Sequence, residues 1–360
     1  MGGIYSFLHF MVRVWLRFFF RKKMVALKEN FPDSGPVIIA ANHQNSFLDA
    51  ILIASSLKRK LNYLGRADVF RNKIADKLLR SIGLMPIYRF RDGFGDIKKN
   101  NQVFENCKEL LNQAEVILIF PEGNHSMKWH LRPLQKGLAR IAQIYLEQKE
   151  EVAPLTIVPC GLQFDRHNAF SSRVLINFGT SFQLKKTDAQ VDHRIFLNNT
   201  MQKINHHLSP LILNIPEENY FLNTEKWLQN RKIYDDLTIQ LEEDQKLVDA
   251  LVAGQEINSD QQKKSLPIIS FFSAFFSLIF NFIPWLSMYL FIKLKVKDPV
   301  FIPSLYFSFS LILIPLFYLL ISFTIYVYFD NIVYSLTGLF FMFFTLYFSG
   351  KAWDYVLNKR

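Results

Sequence analysis

The chain has 360 residues, a net charge of +11, and side chains that are 50% apolar and 15% aromatic, enough for one or two domains with a proper core. Its two cysteines, Cys107 and Cys160, lack metal-ligand spacing and do not imply a disulfide framework. The basic residues are not interleaved with stacking aromatics as in a nucleic-acid module, so anionic membrane lipids, not nucleic acid, are the partner the charge points to.

Residues 1–25 hold a strongly apolar stretch, 4–20, followed by Arg21-Lys22-Lys23. The charge comes after the apolar run and no small-residue cleavage site follows, which is not the pattern of a signal peptide. Arg13 and Arg17 lie four apart on one helical face. The pattern predicts an amphipathic helix in the membrane interface, its arginines on phosphates and its Phe/Trp/Leu face among acyl chains.

From residue 26 to 215 the pattern is α/β. Short apolar runs at 36–41, 61–65, 84–88, 115–120, 155–159 and 173–178 predict strands. Helical patterns fall at 47–58, 69–82, 96–113, 136–147 and 188–207. Buried strands alternating with helices predict a largely parallel mixed sheet flanked by helices. Residues 216–265 hold eleven Asp/Glu against six Lys/Arg, with apolar residues including Trp227, Leu237, Leu241 and Val252 recurring at helical spacing. They predict a solvated, helical acidic connector.

Residues 266–360 form an α-helical membrane region with apolar segments at 266–292, 299–329 and 332–349. Proline removes a backbone donor and disfavours helix at the residue before it. Pro284 therefore predicts a break near Asn281, making the first segment a re-entrant or interfacial hairpin with both ends on the cytoplasmic side. That arrangement keeps Lys293, Lys295 and Lys297 on the side of the α/β body, as the positive-inside rule asks. The next two segments then cross out and back through the turn at Asp330-Asn331.

Four blocks carry chemistry. The first, Asn42-His43-Gln44-Asn45-Ser46-Phe47-Leu48-Asp49, ends a strand and starts a helix. Acyl transfer to an alcohol needs a base for the hydroxyl proton, and histidine suits that task near neutral pH. A carboxylate fixes its tautomer and stabilises the imidazolium. A structural reading stands beside this one: Ser46 and Asp49 have the spacing of a capping box, and His43 can be a satisfied buried polar group. The second block, Gly83-Leu84-Met85-Pro86-Ile87-Tyr88-Arg89, ends on a guanidinium fork suited to phosphate, with Arg91 two residues on. In the third, Phe120-Pro121-Glu122-Gly123-Asn124-His125-Ser126, Glu122 can bind a hydroxyl or a cation and Gly123 lets backbone approach a ligand. The fourth, Ile157-Val158-Pro159-Cys160-Gly161, is by itself a buried strand.

Together, in order over residues 42–161, these blocks resemble those of the glycerophospholipid acyltransferase superfamily, the PlsC-like enzymes. The family's Asn-His-x4-Asp is one residue longer here. The longer spacing resembles that of a subgroup acting on glycerol 3-phosphate or dihydroxyacetone phosphate. Neither spacing aligns the two residues on one helical face, so His43 belongs to the entering turn. The family's Phe-Pro-Glu-Gly-Thr-Arg-Ser carries His125 here in place of its arginine, with Arg132 or Lys136 as candidates for the missing charge. The resemblance implies the glycerolipid acyltransferase fold, with His43 as general base and Asp49 orienting it. It implies Asn42, Ser46, Arg89, Glu122, Gly123, His125 and Lys136 as substrate-binding, with box backbone N–H groups on the oxyanion. The donor is then an acyl thioester on acyl carrier protein or coenzyme A. The acceptor is glycerol phosphate or lysophosphatidic acid, the setting is phospholipid biosynthesis at a membrane with the catalytic domain cytoplasmic, and no metal or redox cofactor is implied. A lysolipid acceptor without phosphate, and a catalytically altered lipid-binding protein, are the alternatives.

Overall fold

A computed structural model describes residues 3–70, 72–88, 99–167, 171–255 and 268–357. Helix α1 (Gly3–Phe19) leads into strand β1 (Lys22–Ala26). There follow β2 (Val37–Ala41), α2 (Phe47–Ser56), β3 (Leu61–Arg66), α3 (Lys73–Ser81), β4 (Leu84–Ile87), α4 (Lys99–Asn112) and β5 (Val116–Ile119). Next come α5 (Gly137–Leu146), β6 (Leu155–Phe164), β7 (Arg173–Phe178), β8 (Phe182–Leu184) and α6 (His193–Leu208). The chain continues through α7 (Tyr220–Asn230), α8 (Leu237–Val252), α9 (Ile268–Lys295), α10 (Ile302–Phe329) and α11 (Ile332–Leu357).

The strands form one mixed, mostly parallel sheet in the order β1-β7-β6-β2-β5-β3-β4, with β8 also on β6. Strands β6, β2, β5, β3 and β4 run parallel. Strands β7 and β8 are antiparallel to β6, and β1 pairs parallel with β7. The central strands β2 and β5 are buried along their whole length, as continuous apolar runs in a parallel sheet must be. Alternate residues feed two cores. Val37, Ile39, Val116 and Leu118 face α1, α2 and the C-terminal helices. Ile38, Ala40, Ile117 and Ile119 face α4, α5 and α6. The sheet is thus sandwiched, and the carboxyl ends of the parallel strands open at one edge, where α/β sheets place their ligands.

Helix α1 divides its duties. Trp15, Leu16 and Phe19 are buried in the core, while Phe7 and Phe10 are exposed. Burial, with Arg13, Arg17 and Lys28 nearby, pushes the Lys23 amine down to about 8; its Nζ donates to Ser55 Oγ at 3.1 Å. The expected solvated connector is instead a lobe folded onto the sheet. Trp227 is fully buried beside Ala26 and Leu175. Its indole N–H donates to Asp244, which also pairs with Arg231 at 2.6 Å. Arg173 on β7 reaches across to Asp165, to the Tyr234 carbonyl and to Gln240. The acidic residues of the arm therefore serve an internal network as well as solvent.

The expected break at Pro284 is absent: α9 is one 28-residue helix with Pro284 inside it. Asn281, just before the proline, donates to the Ser277 carbonyl at 2.8 Å and accepts from Tyr318 Oη at 2.9 Å. Neighbouring helices thus supply the order that the lost helix bond would remove, as they do for prolines in membrane helices. Asn281–Tyr318 and Phe291–Phe309 pairs make α9 and α10 antiparallel, so the two ends of α9 lie at opposite ends of the bundle and the hairpin is ruled out. Three segments, Phe271–Lys295, Pro299–Phe329 and Ile332–Ser349, are long and apolar enough to cross a membrane. Buried small polar residues, such as Ser322 on Ser335 at 2.7 Å, join them, the packing that lipid surroundings favour.

Candidate active site

The site lies where β2, β3 and β5 end. The apolar β2 stops at Ala41, and the chain turns sharply before α2, with Ser46 at φ 51°. His43 sits in that turn, not in the helix. Its Nδ1 is 2.8 Å from Asp49 Oδ2. An ionised carboxylate only accepts, so Nδ1 carries the proton and Nε2 keeps a lone pair free for one. The His43 side chain is 16% exposed and that of Asp49 is fully buried, so the base is reachable and its partner is not. The capping-box geometry is not adopted: Ser46 makes no side-chain cap. Asp49 Oδ2 turns back instead and also accepts from Gln44 N at 2.7 Å and Asn45 N at 2.8 Å. One carboxylate oxygen thereby fixes both the turn and the imidazole.

The β5 loop closes over this turn. Phe120 stacks on the His43 ring with centroids 4.0 Å apart. Glu122 Oε1 accepts from His43 N at 2.9 Å, and Ser126 N donates to the His43 carbonyl at 3.0 Å. Glu122 Oε2 is taken by Arg132 Nε at 2.7 Å. Burial raises the Glu122 pKa, opposed by Arg132. Gly123 has φ +72°, so the turn itself demands glycine.

Several residues expected to bind substrate are also engaged within the protein. Glu122 is occupied on both oxygens and holds the loop. Asn42 is buried, and its amide exchanges two hydrogen bonds with the Leu162 backbone, stapling β2 to β6. The N–H groups of His43, Gln44 and Asn45 in the box donate to Glu122 and Asp49. Arg132, a candidate for the missing cation, is spent on Glu122 and the Asn124 carbonyl. Lys136 is exposed at the start of α5. Arg89 and Arg91 lie outside the described residues.

His125 does reach the site: its ring meets His43 edge-on at 5.5 Å. Chiefly burial, with His43 adding to it, lowers its pKa below the ordinary histidine value; Asp298 acts the other way. Two site features lie outside the motifs. Arg66 ends β3, its charge is felt at His125, and it pairs with Asp68 through two nitrogens. Its place at a parallel strand's carboxyl end is the signal that marks it. Asp298, Phe301 and Ser304 come from the start of the α10 segment, where nothing local announces them. Among the described residues, no group of three or more His, Cys, Asp or Glu is placed to hold a metal ion.

Residues 23–163, the stretch holding every motif above, match the acyltransferase family model. The chain contains an acyltransferase domain. Over 143 residues the chain is 29% identical to a 1-acyl-sn-glycerol-3-phosphate acyltransferase of Chlamydomonas reinhardtii, covering 39% of this chain and 40% of that one. A 1-acyl-sn-glycerol-3-phosphate acyltransferase of Bacillus subtilis (strain 168) is 29% identical over 118 residues, 32% of this chain and 54% of its own. Glycerol-3-phosphate O-acyltransferase 1 of Saccharomyces cerevisiae is 32% identical over 84 residues, 23% of this chain and 11% of its own. The match thus spans about half or less of the length of these relatives. Among solved structures, the 1-acyl-sn-glycerophosphate acyltransferase PlsC of Thermotoga maritima is similar with a TM-score of 0.40 at 14% identity, covering 57% of this chain and 83% of that one.

Proposed function

We propose that the chain moves a fatty acyl group from an acyl thioester, on acyl carrier protein or coenzyme A, to a hydroxyl of a glycerol phosphate acceptor in phospholipid biosynthesis. The His43–Asp49 pair within an acyltransferase domain carries the reading. The acceptor hydroxyl loses its proton to His43 Nε2 as its oxygen bonds to the thioester carbon. Asp49 stabilises the imidazolium. Collapse of the tetrahedral intermediate breaks the carbon–sulfur bond, and the leaving thiolate takes the proton back from His43. The names of the relatives support a glycerol phosphate acceptor, and Arg66, with Arg89, is the cation to hold its phosphate. Three apolar helices and the basic patch of Arg13, Arg17 and Lys23 support a membrane setting with the acyltransferase domain on the cytoplasmic side. A second reading, an acceptor without phosphate, is favoured by one observation: an acidic side chain stands beside His125 where the family keeps an arginine.

The test is acyl transfer by purified full-length protein with acyl-coenzyme A and acyl carrier protein donors, each against glycerol 3-phosphate, lysophosphatidic acid and monoacylglycerol. Product with wild type and not with His43→Ala is the expected result. Lipid binding without transfer from any donor to any acceptor would mean a catalytically altered lipid-binding protein.

A further inference from the structure

The turn between α9 and α10 runs from a membrane-type helix to within reach of the catalytic histidine. Asp298 Oδ1 accepts from Val300 N at 3.1 Å and caps a 3-10 turn at Pro299–Phe301. Its other oxygen, Oδ2, is left to face His125, 3.6 Å from Nε2. Phe301 meets the same imidazole edge-on, with centroids 5.0 Å apart. Ser304, fully buried in the first turn of α10, anchors the turn: its Oγ donates to the Asn45 carbonyl at 2.6 Å and accepts from Leu48 N at 3.1 Å. The bundle is therefore bonded directly to the turn that carries His43. The cover is close, since the His125 side chain is only 8% exposed.

We propose that Asp298 and Phe301 are specificity-determining residues of the acyl-acceptor site, capping His125 so that this position takes an uncharged, hydroxyl-bearing part of the acceptor and repels a phosphate. The proposal rests on the acyl-transfer reading above and names what that site selects. The charge argument decides it. A guanidinium at position 125 would bring +1 to this corner. Here burial holds His125 toward its neutral form, and the Asp298 carboxylate brings −1. The charged groups around the imidazole are Asp298, His43 and Arg66, and Arg66 is already paired with Asp68. Among the described residues, an anion placed against His125 thus meets a carboxylate and no unpaired guanidinium. An uncharged hydroxyl meets an imidazole nitrogen and a carboxylate oxygen, both able to share its proton. Any phosphate on the acceptor then belongs at the β3 and β4 end of the sheet. In this reading the membrane bundle is a wall of the active site.

The experiment compares Asp298→Asn with wild type and with Asp298→Glu in the full-length protein. Asparagine keeps the cap, because its carbonyl oxygen still accepts from Val300 N; Asp298→Ser, another good cap, replaces it if the amide variant does not fold. The readout is the ratio of kcat/KM for lysophosphatidic acid to that for monoacylglycerol, in which a general loss of folded enzyme cancels. Removing the charge should raise the ratio about five- to tenfold, an effect of one half-exposed charge at short range, and Asp298→Glu should restore the wild-type ratio. A ratio within twofold of wild type, or one that falls, overturns the proposal. Equilibrium binding of glycerol 3-phosphate to the same variants by titration calorimetry is read in parallel. Wild type that transfers nothing sinks the acyl-transfer reading, while the binding series still judges Asp298: tightening in Asp298→Asn supports the repulsion, and unchanged binding overturns it.

Discussion

Two imidazole–carboxylate pairs stand side by side in this molecule and are built in opposite ways. His43 and Asp49 are six residues apart, in contact at 2.8 Å, with the carboxylate fully buried. His125 and Asp298 are 173 residues apart, at 3.6 Å, with the carboxylate half-exposed. The first pair is fixed by the local backbone, because Asp49 also holds two N–H groups of the turn. The second is fixed by tertiary packing, through Ser304 and the capped turn. A preorganised buried pair suits proton transfer; a looser pair at the rim suits recognition. The proposed division of labour between chemistry and selection rests on that difference.

The comparison can be broken at its stronger member first. Asp49→Asn should cut the transfer rate by about 10²–10⁴-fold, because Nδ1 loses its carboxylate and the tautomer is no longer fixed. Circular dichroism should stay native-like. A rate near wild type would return Asp49 to a purely structural role.

Next comes the bracket that joins both pairs. Glu122 binds the backbone of His43 and lies three residues before His125. Arg132→Ala leaves a buried carboxylate without its partner and should lower stability by about 2–3 kcal/mol. Glu122→Gln in the same chain should recover much of that loss. Thermal unfolding midpoints measure it; equal midpoints for Arg132→Ala and wild type would show that the bracket holds nothing.

His167 sharpens the same contrast from below. It is fully buried, its Nε2 is 3.1 Å from Gln44 Oε1, and burial lowers its pKa to about 3. The folded value lies below the unfolded one of about 6.5. The neutral ring therefore contributes stability that is whole above pH 6.5 and is lost as pH falls toward 3. By pH 5 the loss should reach about 2 kcal/mol. His167→Gln should flatten the fall in unfolding midpoint between pH 7 and 5. An unchanged pH slope would place the sensitivity elsewhere.

The smallest effect is one of position. In a chain lacking Cys107 and Cys160, single cysteines at 295 and 331 should be labelled by an impermeant reagent from opposite sides of the membrane, with 295 on the side of the acyltransferase domain. Labelling of both from one side would detach the Asp298 turn from the site.

The two pairs also mark how far the sequence is legible. Six apolar runs coincide with β2 to β7 to within a few residues; in β2, β5 and β7, buried along their whole length, the run is continuous because both faces are covered. Strand β6 runs five residues past its expected end, to Phe164, since β7 pairs with that extension. Strand β1 reads as a basic tail because Lys22 and Lys23 are only partly buried at the sheet edge, and three-residue β8 is too short to show a period. The acidic arm hides its packing behind its charge: Tyr220, Trp227, Leu237, Leu241 and Val248 are buried together against the sheet. His43 with Asp49 is legible because helix geometry forces the histidine into the entering turn. Glu122 and Asn42 are legible as motif members, but their hydrogen bonds to His43, Arg132 and Leu162 are not. Asp298 has no local signature: its role exists only once α9 runs unbroken through Pro284 and delivers the turn to His125.

The central claim, that His43 carries the chemistry while His125 stands at the acceptor, is tested most directly by one pair of variants. Single-turnover acyl transfer is measured in the full-length protein at saturating donor, over a range of acceptor concentrations, for His43→Ala and His125→Leu. The account predicts that His43→Ala loses about 10²–10⁴-fold in the maximal rate at every acceptor concentration. It predicts that His125→Leu shifts the acceptor concentration for half-maximal rate and changes the maximal rate less than tenfold. A near-normal maximal rate in His43→Ala would contradict it.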